Sequence, residues 1–147
     1  MDPEKLDLHI ERLVEVIQSL PRRLHAELAQ NLVSGITMSQ FIVLMSLKDR
    51  TVNVSEVAEE MCVSLSAVTA LADRLHKAGF VVRRRDEQDR RLVWLALTGE
   101  GERIVSACQL ARKKVLKKYF GQLREEDIDQ LMKIYEKILV LINAESK

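Results

Sequence analysis

Apolar side chains recur three or four positions apart between Leu6 and about Ala29, at Leu6, Ile10, Leu13, Val14, Ile17, Leu20, Leu24 and Leu28. This is the spacing of one face of a long amphipathic helix. Pro21 falls inside the run, where it removes a backbone donor and crowds the preceding turn, so a kink or break is expected near Ser19 to Leu20. Gly35 ends the region. A second helix is expected to open at Thr37-Met38-Ser39-Gln40, because a threonine followed three residues later by glutamine satisfies exposed backbone donors from both sides. Phe41, Leu44, Met45 and Leu47 give it an apolar face. A third opens at Asn53-Val54-Ser55-Glu56, the same box with asparagine as cap, and turns Val57, Ala58 and Met61 inward.

A fourth helix opens at Ser64 and stops at Gly79, a residue able to close a helix in a left-handed conformation without steric penalty. The period then changes from helical to alternating. Phe80 to Val82 reads as a short strand and Leu92 to Leu97 as its partner, joined by the charged segment Arg83 to Arg91. Thr98 caps a fifth helix reaching about Tyr119, with Glu100 and Glu102 near its positive end. After Gly121 a sixth runs from about Glu125 to Ala144, with Ile128, Leu131, Met132, Tyr135, Ile138, Leu139 and Ile142 as its stripe. The pattern predicts a mainly α fold of six helices with one small β-hairpin.

Composition narrows what such a fold does. The 147 residues suit one ordinary folding unit, and 47% hydrophobic with 31% charged residues fits long helices with charged outer faces. Net charge is only +1, so nucleic-acid binding must be argued from where the cations lie. Cys62 and Cys108 form no CxxC or His/Cys cluster, and His9 and His25 stand alone, so neither a metal site nor a disulfide framework is expected. No cofactor motif is present. The N-terminus is charged every few residues and no apolar run spans a bilayer, so a cytoplasmic protein with no membrane association is expected.

Helix, short turn, helix and then a hairpin with a basic tip is the arrangement of a winged helix-turn-helix. Val57, Ala58 and Met61 would brace Val68, Leu71, Ala72 and Leu75. The first turns of the Ser64 helix then expose Ser64, Ser66, Ala67, Thr69 and Ala70, small enough for deep entry into a major groove, with hydroxyls for phosphates or bases and methyls for thymine. Asp73, Arg74, His76 and Lys77 carry charge further along. The same small residues also suit close packing between helices. In the hairpin, Arg83, Arg84, Arg85, Arg90 and Arg91 gather around Asp86, Glu87 and Asp89. Acids beside DNA repel it unless they hold arginines in place, and Asp89 with Arg91 is the pair that fits a minor-groove probe. A solvated charged loop is the plainer alternative.

Four segments together resemble the MarR family: Val54-Ser55-Glu56-Val57-Ala58, Ser66 to Leu75, Asp86-Glu87-Gln88-Asp89-Arg90-Arg91 and Leu97-Thr98-Gly99-Glu100-Gly101. The resemblance spans most of the chain. It implies an intertwined homodimer with a winged helix-turn-helix in each lobe, divided here as residues 1–36 for dimerisation, 37–98 for DNA binding and 99–147 for dimerisation. It implies a transcriptional regulator, most simply a repressor, that binds an inverted repeat of double-stranded DNA. Position by position it places Ser64, Ser66, Thr69 and Arg74 on the recognition helix and makes Asp89 and Arg91 the wing-tip pair; the residues themselves add Ala67, Ala70, Arg84, Arg85 and Arg90 as candidate DNA contacts. One departure is Arg124, where such proteins often carry a serine or threonine cap.

The resemblance also implies release by a small aromatic or phenolic effector, for which Met38, Phe41 and Met45 are the candidate lining, or by oxidation of Cys62 or Cys108. Methionines and a phenylalanine at helical spacing more often form ordinary core, and a structural role is the plainer reading of both cysteines. No Gly-rich phosphate loop, metal spacing or nucleophile with a placed base points to an enzyme. The rival reading is a winged-helix module used only for protein contacts, which predicts no salt-sensitive DNA binding.

Overall fold

Short polar side chains set the helix starts. In a computed structural model of the chain, which describes residues 1–33 and 35–146, Asp2 precedes α1 (Pro3–Asn31) and accepts the Glu4 N–H. Thr37 opens α2 (Met38–Ser46) with the full reciprocal box, its hydroxyl accepting from Gln40 N–H while Gln40 accepts from Thr37 N–H. Asn53 ends the two-residue strand β1 (Val52–Asn53) and caps α3 (Val54–Met61) through Glu56 N–H. The box there is altered: Glu56 accepts from the Asn53 side-chain amide rather than from its backbone. Ser64 caps α4 (Leu65–Lys77) through Ala67 N–H. The strands β2 (Val81–Arg85) and β3 (Val93–Leu97) follow, then α5 (Gly99–Phe120) and α6 (Glu125–Glu145).

Contacts divide the chain into two compact units, Met1–Arg112 and Lys113–Lys147. In the first, the core is built from Phe41, Val43, Leu44 and Leu47 of the α2 region, Val52 of β1, Val57 of α3, Val68, Ala72 and Leu75 of α4, and Val81 and Leu95 of the sheet. Full burial of one such leucine or valine contributes about 1.5–3 kcal/mol. The sheet is antiparallel in the order β1-β3-β2, so β3 is central, with Val52 opposite Leu95 and Arg83 opposite Leu95 on the other side. In the second unit α6 begins without a side-chain cap. The Arg124 guanidinium instead pairs with Asp127 at 2.9 and 3.0 Å, and three acids in the first turn meet the positive helix end.

Three expectations change. The helix from Pro3 to Asn31 continues through Pro21, so of the kink or break expected near Ser19 to Leu20 the break does not occur. The ring removes only the donor that would reach the Ile17 carbonyl, while its fixed φ is itself helical, and the turns on either side keep their own bonds. The first arm of the hairpin reaches Arg85 instead of stopping at Val82, because the backbone ladder pairs Arg83, Arg84 and Arg85 with Leu95, Trp94 and Val93 whatever their side chains. Finally, β1 had no sequence signal, since two residues are too few to show an alternation.

Two left-handed residues close the helices around the reading unit. Gly79, at φ +83, follows α4, and the next turn is tied by Phe80 N–H to Leu75 O and Gly79 N–H to His76 O, both at 3.0 Å. Cys62, at φ 55, does the same for α3 with Val63 N–H to Ala58 O and Cys62 N–H to Glu59 O, both at 3.1 Å. A non-glycine residue is strained in this conformation. Where β3 passes into α5, the Thr98 hydroxyl donates to Gly79 O at 2.6 Å and accepts from Gly101 N–H at 3.0 Å. A side chain at Gly101 would overlap the Phe80 carbonyl oxygen.

Candidate nucleic-acid interface

α3 packs against α4 through Val57 and Ala58 on one side and Val68, Ala72 and Leu75 on the other, all buried; Met61 and Leu71 are half-buried at the edge. Burying that face turns the opposite one to solvent. Ser64, Ser66, Ala67, Thr69, Ala70 and Arg74 are all exposed on it. The geometry refines what their hydroxyls can do. Ser64 Oγ is engaged as the helix cap and lies 3.2 Å from Ser66 Oγ. Thr69 Oγ1 donates to Leu65 O at 2.9 Å, which leaves it an acceptor and suits it to the amino groups of base edges more than to phosphate.

In the hairpin, Asp86 N–H donates to Leu92 O at 2.9 Å and Leu92 N–H to Asp89 O at 3.0 Å, closing the turn. Asp89 then holds Arg91 from three donors: the backbone N–H at 3.1 Å, Nε at 3.0 Å and Nη2 at 3.2 Å. The Asp89 carboxylate is held below its ordinary 3.8, first by the Arg91 guanidinium and then by the Arg91 N–H. Arg91 itself remains 90% exposed. The acid thus fixes the direction of the cation without hiding it.

The other two acids do not brace arginines as the sequence reading supposed. Asp86 accepts the N–H groups of Gln88 and Asp89 and the Trp94 indole N–H, each at 2.9 Å. These bonds lower its pKa, in the order Asp89 N–H, Trp94, Gln88 N–H, with a smaller attraction from Arg84. Glu87 is exposed. Of the remaining cations, Arg84 and Arg90 are exposed, while Arg85 Nη1 donates across the hairpin to Arg90 O at 2.9 Å. Arg83 is drawn away from the tip into an ion pair with Asp73 of α4. His76 Nδ1 lies 3.1 Å from Val81 O, and His76, Arg83, Arg85 and Val93 line a basic hollow of about 250 Å³ between helix and hairpin.

The bonds of Asp86 to the turn amides and to Trp94, and the Asp73–Arg83 pair, were not foreseen from the sequence. An aspartate ahead of a turn is a known signal for bonds to amides two and three residues on, so Asp86 was recoverable. The other partners lie eight and ten residues apart on different elements, and only folding brings them together.

The candidate effector residues lie on α2, whereas Cys62 sits in the turn between α3 and α4 and Cys108 on α5. Phe41 is buried, with the Arg112 guanidinium 5.6 Å from its ring centre, and Met38 and Met45 are half-buried. Cys62 is exposed and Cys108 buried, both as free thiols, and burial raises the pKa of Cys108, which disfavours the reactive thiolate. Among the described residues no group of three His, Cys, Asp or Glu is placed to hold a metal ion, and no helix is long and apolar enough to cross a membrane.

Comparison with known proteins gives this geometry a context. A family model described as "MarR family" matches residues 36–93. The HTH-type transcriptional repressor MdtR of Bacillus subtilis is 34% identical over 133 residues, covering 89% of this chain and 86% of the relative. Among solved structures, the YusO protein from Bacillus subtilis is 33% identical, covers 90% of this chain and 96% of its own, and superimposes with a TM-score of 0.67. A mutant MarR from E. coli complexed with operator DNA is 28% identical, covers 89% and 96%, and has a TM-score of 0.74.

Proposed function

This chain belongs to the MarR family, and on that footing we propose that it is a DNA-binding transcriptional regulator that grips an inverted repeat of double-stranded DNA as a homodimer. The observation that carries the reading is the pairing of two exposed probes on one compact unit: the small hydroxylic face of α4 and the acid-braced Arg91 of the hairpin. The helix enters the major groove with Ser66, Ala67, Thr69 and Ala70 at base edges and Arg74 further along. Arg91 enters the adjacent minor groove, where narrow width and negative potential attract a guanidinium. Arg84, Arg85 and Arg90 add attraction to the phosphates.

Dimerisation is supported by apolar surface exposed in each unit. In α1, Leu6, Ile10, Leu13, Val14, Ile17 and Leu20 are all exposed; in α6, Met132, Tyr135, Ile138, Leu139 and Ile142 are. Stripes of that extent are ordinarily covered by a partner. Repression is supported by the repressor from Bacillus subtilis among the relatives. The same relative is described as a transcriptional repressor, which supports a role without catalysis, and a DNA-reading role is exercised in the cytoplasm. An aromatic effector would press on Met38, Phe41 and Met45 with an acidic group toward Arg112, which screening of small phenols for DNA release tests.

Selection of bound duplexes from a random pool, followed by binding measurements across salt concentration, tests the function directly. Inverted repeats with half-sites about one helical turn apart are expected, with log affinity falling by about 0.9 per phosphate contact as log salt rises. Asymmetric sites alone would remove the dimer from the account. Absence of binding to any duplex at low salt removes the function.

A further inference from the structure

Trp94 is the single tryptophan of the chain. It stands in β3, the central strand, opposite Asn53 on one side and Arg84 on the other. Its indole N–H, which can only donate, reaches forward to Asp86 Oδ2 at 2.9 Å. The second oxygen of the same carboxylate accepts Gln88 N–H and Asp89 N–H, both at 2.9 Å. Asp89 in turn holds the Arg91 guanidinium at 3.0 and 3.2 Å. One unbroken run of hydrogen bonds therefore joins a ring rooted in the middle of the sheet to an arginine at the exposed tip.

Resting on the DNA-reading assignment, we propose that Trp94 is a positioning residue for the wing, holding through Asp86 the turn that presents the Asp89–Arg91 pair to DNA. The other bonds of the tip run within the hairpin from Arg85 to Leu92, and the indole bond ties it to a side chain of the central strand. Without the indole, the turn keeps its own bonds but loses the Asp86 anchor on the ring of the central strand, and the tip gains freedom relative to the sheet. Arg91 would then have to be ordered at the moment of binding, which weakens affinity although every contacting atom is still present. Nothing in the strand pairing requires a donor at position 94, since the ladder uses only backbone groups. The indole N–H is a feature of the wing, not of the sheet.

The test is Trp94→Phe in the full-length protein, which keeps an aromatic ring on the strand and removes the donor together with part of the indole's bulk. Affinity is read by fluorescence anisotropy on a labelled duplex selected from a random pool by the wild-type protein, with and without Arg91→Ala. Trp94→Phe is expected to weaken binding about tenfold when Arg91 is present, the scale of ordering one long side chain in each of two wings. In the Arg91→Ala background the loss should vanish. Wild-type affinity in Trp94→Phe overturns the proposal, and so does an equal loss with and without Arg91, which marks a general effect on the lobe. Should circular dichroism show Trp94→Phe unfolded, Asp86→Ala cuts the same tie from the loop, along with the Gln88 and Asp89 N–H bonds, and is held to the same cycle. Failure of the wild type to bind any duplex ends the regulator reading itself, whereas failure of the positioning role leaves wild-type binding intact.

Discussion

Replacing Arg91 by alanine separates the wing from the rest of the molecule more cleanly than any other single change. The side chain is 90% exposed and its hydrogen bonds all go to Asp89 in the same turn. Its removal opens no cavity and leaves no buried group unpaired, so thermal stability should move within the ±0.5 kcal/mol typical of surface substitutions. The effect on DNA is of another size. One well-placed guanidinium in a groove contributes about 1–3 kcal/mol, and a dimer inserts two, so the complex should weaken by about 2–6 kcal/mol, thirtyfold or more at about 1.4 kcal/mol per tenfold. If each guanidinium also displaces one condensed counterion, the slope of log affinity against log salt should shrink by about 1.8 for the pair. Anisotropy titrations at four or five salt concentrations measure both numbers on one duplex. Affinity within twofold of wild type, with an unchanged slope, refutes the wing assignment however well the protein is folded.

Three other consequences are open to measurement. Asp86 and Asp89 both titrate below their ordinary 3.8 in the folded protein, so what they contribute to wing order is complete above about pH 4 and is lost as pH falls through the lowered native values; carboxyl midpoints above 3.8 by NMR would contradict the hydrogen bonds described. Cys62→Gly should raise stability by about 0.5–1 kcal/mol in urea, because relief of the left-handed strain exceeds the added freedom of the unfolded chain; a loss of stability would show that the thiol packs favourably. Gly101→Ala should lower stability by about 1–3 kcal/mol, since the new methyl meets the Phe80 carbonyl oxygen and the start of α5 must shift; an unchanged melting temperature would mean that the junction yields freely.

The elements of this protein were legible because each is announced locally. Thr37, Asn53, Ser64 and Thr98 mark helix starts by a hydrogen bond spanning three residues, and Gly79 marks an end by a conformation that few other residues tolerate. The stripes of α1 and α6 and the clustered arginines are likewise properties of a short window. So is the Asp89–Arg91 pair, whose partners lie two residues apart. At Pro21 a local rule left a kink or a break open, and the 29-residue helix excludes the break.

What folding alone decided is which charges are available. Five arginines look equivalent along the chain, yet packing the hairpin beside α4 commits Arg83 to Asp73, pairing its strands sets Arg85 against the Arg90 carbonyl, and Arg91 is left projecting. The same pairing lays β1 against β3 and brings an indole from the central strand onto Asp86. A side chain's role depends on the partner it meets, and partners eight or ten residues away are chosen by strand register and helix packing. Those are set by burial of the whole core and are written in no single stretch of sequence.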